Sequence, residues 1–308
     1  LNEMKRIAVV GAGTIGLSWA TLFATKGFRV FIYDPRNDLK EVFEEYVQSI
    51  KPTLELLELP TEEWVQHITL STSLEEAVKD AQIIQENGPE NLAWKQQLYA
   101  EMEQFVAPDT LFLSSSSTLG ASDIAEKMQM PGRMLIGHPF NPPLVMPLVE
   151  VVPGKSTSQD SVESAMTFYA SLGKKPRLIQ KEVFGFVANR LQFAMLQEAM
   201  HLVDSGVVSM NDLDEIVKDS IGLRWAVTGP MLGMHLGGGQ SGMEAFLRHL
   251  GTTMERTWRE QGDVVLDDET IKRLAEKSLG AYGHRTIAEH GRARDELQIE
   301  FLTKRREK

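Results

Sequence analysis

Near the start of the chain an apolar run, Arg6 to Val10, leads directly into Gly11-Ala12-Gly13-Thr14-Ile15-Gly16 and a stretch of helical periodicity, Thr14 to Thr25. Few features constrain a fold as much. G-x-G-x-x-G between a strand and a helix is the pattern that seats a pyrophosphate at a helix N-terminus. Gly11 permits the tight turn, Gly13 lets backbone approach phosphate, and Gly16 lets helix and strand pack closely. The unpaired N–H groups and partial positive charge of the first helical turn then face the anion, which makes Thr14 and Ile15 contacts as well. Asp34 closes the next strand-like run and is placed to accept hydrogen bonds from the adenosine ribose. A carboxylate there favours NAD over NADP, and Arg36 is the nearby cation that could soften the preference.

Further strand-like runs lie at Arg29 to Tyr33, Ala81 to Gln85, Thr110 to Leu113, Met134 to Ile136 and Leu148 to Val152. Most are separated by helical patterns, at Leu39 to Leu57, Leu92 to Phe105 and Ser161 to Leu172. The alternation predicts a Rossmann-type doubly wound, mainly parallel α/β sheet. From about Phe184 strand runs disappear and helical patterns follow one another, at Val187 to Ser205, Asn211 to Ser220, Met243 to Gln261 and Glu269 to Leu279. The expected division is a nucleotide-binding domain over 1–181 and an all-helical domain over 182–308. The charged stretch Arg285 to Lys308 reads as a solvated terminal helix.

The formal charge of -11 is spread along the chain and basic residues cluster only at the extreme C-terminus, which argues against nucleic acid as a partner. Without cysteine there is no disulfide, thiolate metal site or thiol nucleophile. No uncharged apolar run is long enough for a membrane span, and the first residues lack the basic, acid-poor character of a transit peptide, so a cytoplasmic location is expected. The chain opens on Leu1, which leaves a preceding segment open.

Polar residues gather after predicted strands at Glu86 to Asn91, Ser114 to Thr118, Gly137 to Pro143 and Pro147 to Glu150. Ligands collect at strand ends in open α/β sheets. Of seven histidines, only His138 directly follows an apolar strand and begins a proline-fixed turn, with the strand-borne acid Glu150 after it. Imidazole titrates near neutrality and can take a carbinol proton while hydride leaves, and a carboxylate can hold the ring and stabilise its protonated form. The other reading of His138 is a satisfied structural histidine. No other histidine forms a metal-ligand pair at helical spacing, so no metal is expected. Ser114 to Ser117 reads either as a turn with a helix cap or as a source of a hydroxyl for the substrate oxygen.

With these residues placed, the chain resembles the 3-hydroxyacyl-CoA dehydrogenase superfamily from about Lys5 to at least Gly251. The resemblance implies that Glu90, Asn91 and Lys95 lie near the nicotinamide ribose and that Ser117 contacts the substrate oxygen. It also implies that His138 and Glu150 are the catalytic pair, and that Asn189, in Gly185-Phe186-Val187-Ala188-Asn189-Arg190, is the family's asparagine. Two stretches depart from the fatty-acyl branch: N-T-S is Ser115-Ser116-Ser117 here, and H-F-F-N-P is His138-Pro139-Phe140-Asn141-Pro142. These, with Gly222 to Ala226 and Gly237 to Gly239, are more similar to the branch of λ-crystallin/L-gulonate 3-dehydrogenase and L-carnitine dehydrogenase. Leu39 to Ile68, where CoA-using relatives carry lysines, holds seven glutamates against Lys40 and Lys51, a surface that would repel CoA phosphates.

The expected function is therefore NAD-dependent oxidation of the 3-hydroxyl of a small L-3-hydroxy acid. Arg224 is the candidate for its carboxylate and Trp225 for packing or a cationic group. Packing beside a helix start is the alternative for both. The resemblance further implies a homodimer through the helical domain. Rival functions are a 3-hydroxyacyl-CoA dehydrogenase, a non-catalytic crystallin-like protein and an NAD-binding module.

Overall fold

A computed structural model describes residues 5–306. It divides into two compact units: the described residues up to Asn189 together with those from Gly291 onward, and Arg190–His290.

In the first unit a single sheet runs in the order β3-β2-β1-β4-β5-β6-β7-β8. Its strands are β1 (Arg6–Val10), β2 (Arg29–Tyr33), β3 (Ile68–Leu70), β4 (Ile83–Glu86), β5 (Leu111–Ser114), β6 (Met134–Pro139), β7 (Leu148–Pro153) and β8 (Lys175–Leu178). Interleaved with them are α1 (Thr14–Thr25), α2 (Leu39–Leu56), α3 (Leu74–Val78), α4 (Leu92–Met102), α5 (Ala121–Ile124) and α6 (Gln159–Ser171). The expected doubly wound sheet is present, with two edge strands the sequence did not announce. β3 spans three residues. β8 is built from Lys175-Pro176-Arg177-Leu178, with neither an apolar run nor alternation to mark it, and proline is tolerated at such an edge.

Every neighbouring pair is parallel except β6 and β7. The link between those two, residues 140–147, is too short for the dozen or more residues that a parallel crossover needs. The chain therefore turns back at the C-terminal end of β6, and that reversal builds the site.

Side chains alternate across a strand, so each buried strand feeds two cores. In β1, Ile7 and Val9 join one cluster around Trp19, Phe23, Phe168 and Tyr169, while Ala8 and Val10 join the other around Tyr99, Met102 and Phe112. Both faces are covered, as a mainly parallel sheet requires.

From Ala188 onward every regular element is a helix: α7 (Ala188–Asp204), α8 (Met210–Val217), α9 (Leu223–Thr228), α10 (Pro230–Gly237), α11 (Gly242–Glu260), α12 (Asp268–Tyr282) and α13 (Ile287–Arg306). Gly229, at φ +71, separates α9 from α10. Ser209 and Asp267 cap α8 and α12 by accepting the N–H groups of Asp212 and Thr270. Among the described residues no helix is long and apolar enough to cross a membrane.

Candidate active site

The strand order reverses between β1 and β4, and the loops leaving their C-terminal ends meet there. Gly11 N–H donates to the Tyr33 carbonyl and Asn87 N–H to the Val10 carbonyl. Gly11 sits at φ +94, and a Cβ on it would lie 2.9 Å from the Asn87 backbone; a Cβ on Gly16 would lie 1.9 Å from the Gly11 carbonyl oxygen. Around Gly13, by contrast, a Cβ would meet nothing within 4 Å, so its open side is where a ligand has room. Thr14 is exposed and Ile15 half-buried at the start of α1. This cradle fits a dinucleotide pyrophosphate: closed against its own sheet and open at a helix N-terminus.

Asp34 tightens the cradle. Its Oδ2 accepts from Ala12 N–H at 2.8 Å and its Oδ1 from Arg36 N–H at 3.1 Å. The Arg36 guanidinium turns to Asp38, with Nε 2.8 Å from Oδ1 and Nη2 3.4 Å from Oδ2. The cation two residues beyond Asp34 thus carries its own counter-ion.

Glu90 and Lys95 lie in and after the loop that follows β4. One Glu90 oxygen, Oε1, accepts from the Ser116 hydroxyl at 2.7 Å, the Ser117 N–H at 3.0 Å, and the Thr118 N–H and hydroxyl at 2.8 Å each. Burial raises this carboxyl, but the hydrogen bonds from Ser116 and Thr118, with the Lys95 charge, outweigh it and hold the group below its ordinary value. The Lys95 ammonium is buried and lies 2.7 and 2.8 Å from the two oxygens of Glu86, against 4.0 Å from Glu90. Glu86 also accepts from Ser114, Tyr99 and the Gly88 N–H. Nothing in the sequence singled out Glu86 as this hub; its only signal is a carboxylate closing an apolar strand. Burial first, then the Glu86 charge, pushes the Tyr99 phenol well up, so it remains a donor.

His138 and Glu150 come together through strand register. They are direct partners across the antiparallel β6–β7 pair, so both side chains leave the same face. Nδ1 of His138 lies 2.9 Å from Oε2 of Glu150, and both residues are almost fully buried. Glu150 Oε1 accepts the backbone N–H groups of Val187 and Ala188 at 3.0 Å each. Burial raises the Glu150 carboxyl, but the His138 contact and the Ala188 and Val187 donors overcome that and hold it below the usual carboxylate range. An ionised Glu150 has only acceptors, so Nδ1 carries the proton and Nε2 is left as the basic nitrogen. Phe140 and Phe186 pack against the ring at centroid distances of 5.7 and 5.4 Å.

Ser117 is exposed in the loop after β5, and Asn189 Nδ2 donates to its carbonyl at 3.4 Å. These two residues, far apart in sequence, are neighbours at the site. Arg224 and Trp225 lie in α9 of the second unit; Arg224 is exposed, and the buried Trp225 indole Nε1 has no hydrogen-bond partner among the described residues. Among the described residues no group of three or more His, Cys, Asp or Glu side chains is arranged to hold a metal ion.

Comparison with known proteins gives this geometry a context. The model of the 3-hydroxyacyl-CoA dehydrogenase NAD binding domain matches residues 6–183, and that of the 3-hydroxyacyl-CoA dehydrogenase C-terminal domain matches residues 185–278. The fold and these matches are those of an NAD-dependent oxidoreductase acting on CH–OH groups. Within that class, the chain belongs to the 3-hydroxyacyl-CoA dehydrogenase family. An L-carnitine dehydrogenase of Streptomyces coelicolor is 38% identical over 301 residues, covering 98% of this chain and 95% of the relative. A 3-hydroxyacyl-CoA dehydrogenase of Gibberella moniliformis is 41% identical over 263 residues, covering 84% and 81%. Among solved structures, an NAD+ dependent dismutase, 5-formyl-3-hydroxy-2-methylpyridine 4-carboxylic acid 5-dehydrogenase, aligns with TM-score 0.73 at 28% identity, covering 93% of this chain and 99% of its own.

Proposed function

We propose that this protein oxidises the 3-hydroxyl of a small L-3-hydroxy acid, of the L-carnitine or L-gulonate type, to the 3-keto acid. The observation that carries the reading is the buried His138–Glu150 pair near the C-terminal end of β6, the same end of the parallel strands from which the dinucleotide cradle leaves β1. Support for a small acid comes from L-carnitine dehydrogenases aligning over nearly the whole chain. NAD, when bound, supplies the acceptor for the C3 hydride. His138 takes the hydroxyl proton on Nε2 as the C3–O bond gains double-bond character, and Glu150 stabilises the imidazolium through Nδ1–H. Ser117 and Asn189 hydrogen-bond the substrate oxygen while it carries negative charge. Gly11, Gly13, Thr14, Ile15, Gly16 and Asp34 hold the pyrophosphate and adenosine ribose, with Arg36 kept on Asp38. Glu90 and Lys95 shape the nicotinamide-ribose side. Arg224 pairs with the substrate carboxylate and Trp225 packs on its remaining group.

In this reading residues 1–181 serve the cofactor, and residues 182–308 serve the substrate and a homodimer interface. Leu191 and Phe193 in α7, and Met231 and Leu236 in α10, are the kind of exposed apolar side chains a second copy would cover. The cytoplasm is the proposed location.

The deciding experiment is steady-state kinetics with NAD and free L-carnitine, L-gulonate and 3-hydroxybutyrate, set against acetoacetyl-CoA with NADH. Turnover confined to the free acids supports the proposal. Preference for the thioester replaces it with a 3-hydroxyacyl-CoA dehydrogenase. NADH binding with no turnover on any of them replaces it with a binding protein. Gel filtration tests the dimer, and a monomer only would overturn it.

A further inference from the structure

Behind the cradle runs a chain of side-chain hydrogen bonds that none of the roles above uses. Its centre is Ser115, one of the two positions, with Ser116, where this chain departs from the N-T-S pattern of the fatty-acyl branch. The Ser115 hydroxyl accepts from Gln85 Nε2 at 2.9 Å and from the Trp19 indole Nε1 at 3.2 Å, and donates to Asn87 Oδ1 at 2.7 Å. A hydroxyl has one proton to give and two lone pairs, so this one is fully used.

From Ser115 the chain extends both ways. Gln85, fully buried, accepts on Oε1 from the Tyr169 phenol at 2.7 Å. Burial pushes that phenol far above its ordinary value, so it remains a donor. Tyr169 lies directly under the strand that carries the imidazole: a Cβ on Gly137 would sit 1.8 Å from the phenol oxygen. In the other direction Asn87 Nδ2 donates to the Gln85 carbonyl at 3.0 Å and the Val10 carbonyl at 3.4 Å, and the Asn87 backbone closes on Gly11. One connected path thus touches the backbone beside His138, the loop leading to Ser117 and the dinucleotide turn.

We propose that Ser115 is a positioning residue, the node that fixes the imidazole strand, the Ser117 loop and the dinucleotide turn at one mutual spacing. The proposal rests on the oxidation reading above for its kinetic consequence. The network is buried at Trp19, Gln85 and Tyr169 and half-buried at Ser115 and Asn87; at its buried end a lost partner leaves a group unpaired in a poorly polarisable interior, which favours one arrangement of the whole path. Hydride transfer is sensitive to this, since a misplacement of about 1 Å costs on the order of a hundredfold in rate. An ordinary buried polar cluster would instead affect only stability.

The test compares Ser115→Ala, Tyr169→Phe and the double variant in the full chain. It follows Tm, NADH affinity, the fluorescence lifetime of bound NADH, and kcat with protonated and C3-deuterated hydroxy acid. In Ser115→Ala we expect NADH affinity within about threefold of wild type, kcat lower by about tenfold, and a larger deuterium isotope effect as hydride transfer becomes limiting. Tyr169→Phe gives a smaller fall, and the double variant is no worse than Ser115→Ala, because both act on one path. Bound-NADH lifetime changes in each. A lowered Tm with kcat, isotope effect and lifetime all unchanged overturns the proposal. If the wild type turns over no hydroxy acid, the oxidation reading fails, and the NADH lifetime still decides the network. If Ser115→Ala does not fold, Tyr169→Phe decides alone by the same readouts.

Discussion

His138 and Glu150 face each other as register partners on antiparallel strands, and the 2.9 Å contact between Nδ1 and Oε2 follows from that pairing. Because Glu150 also accepts two backbone N–H groups, the carboxylate is held from both sides and cannot swing away from the ring. Replacing the imidazole removes the proposed base and leaves the residues of the cradle unchanged. His138→Ala should lower kcat by about 10²–10⁴-fold with NADH affinity unchanged, measured by steady-state kinetics and fluorescence titration. Retained turnover would remove the imidazole from the mechanism.

The depressed Glu150 carboxyl makes a signed prediction about acid. A group whose native value lies below its unfolded one adds stability above the unfolded range, and loses it as the pH falls through the native value. Glu150→Gln has no such group. Its Tm should therefore fall less steeply than that of wild type from the ordinary carboxylate range downward, in calorimetry at stepped pH. Parallel curves would contradict the assignment.

Lys95 and Glu86 are a buried pair with almost no exposure. Removing one partner strands the other charge. Lys95→Met should cost about 3–5 kcal/mol of stability in urea denaturation, and the double variant Lys95→Met/Glu86→Gln should recover a substantial part. Equal losses in the single and double variants would argue that packing, not charge, dominates there.

Asp38 occupies the Arg36 guanidinium. Asp38→Ala should free that cation for a 2′-phosphate, raising kcat/KM for NADP relative to NAD by about tenfold with little change for NAD itself. An unaltered ratio would mean that Asp34 alone sets the preference.

Much of this architecture could be read from residues. The strand, glycines, helix and Asp34 are local, and apolar runs at regular intervals mark the central strands because those strands are buried on both faces. Ala12 N–H on Asp34 shows how closely the fingerprint's parts cooperate. His138 and Glu150 could be placed as neighbours because His138 follows an apolar strand and Glu150 is an acid carried inside the next one. Their antiparallel relation was not read, because the alternating pattern as a whole points to parallel strands; the shortness of residues 140–147 is the local signal that could have shown it. β8 was not legible, because an edge strand of Lys175, Pro176, Arg177 and Leu178 has only one neighbouring strand and buries only Pro176, too little to demand an apolar run. Nor were α9 and α10, whose glycines and exposed apolar residues blur helical periodicity. Glu86, Gln85 and Tyr169 escaped for a different reason. Their roles are set by partners distant in the chain, and no local spacing encodes a contact such as Tyr169 with Gln85.

Asp34 has a consequence for the thermodynamics of cofactor capture. With one carboxylate oxygen on the Ala12 N–H and the other on the Arg36 N–H, its rotamer is fixed by the chain's own backbone. The entropy of freezing that side chain was surrendered during folding, so in the proposed role of Asp34 the adenosine end of a dinucleotide would meet a rigid receptor. Loosening either backbone contact should weaken binding through an unfavourable entropy with little change in enthalpy, a signature that isothermal calorimetry separates from the loss of a direct hydrogen bond.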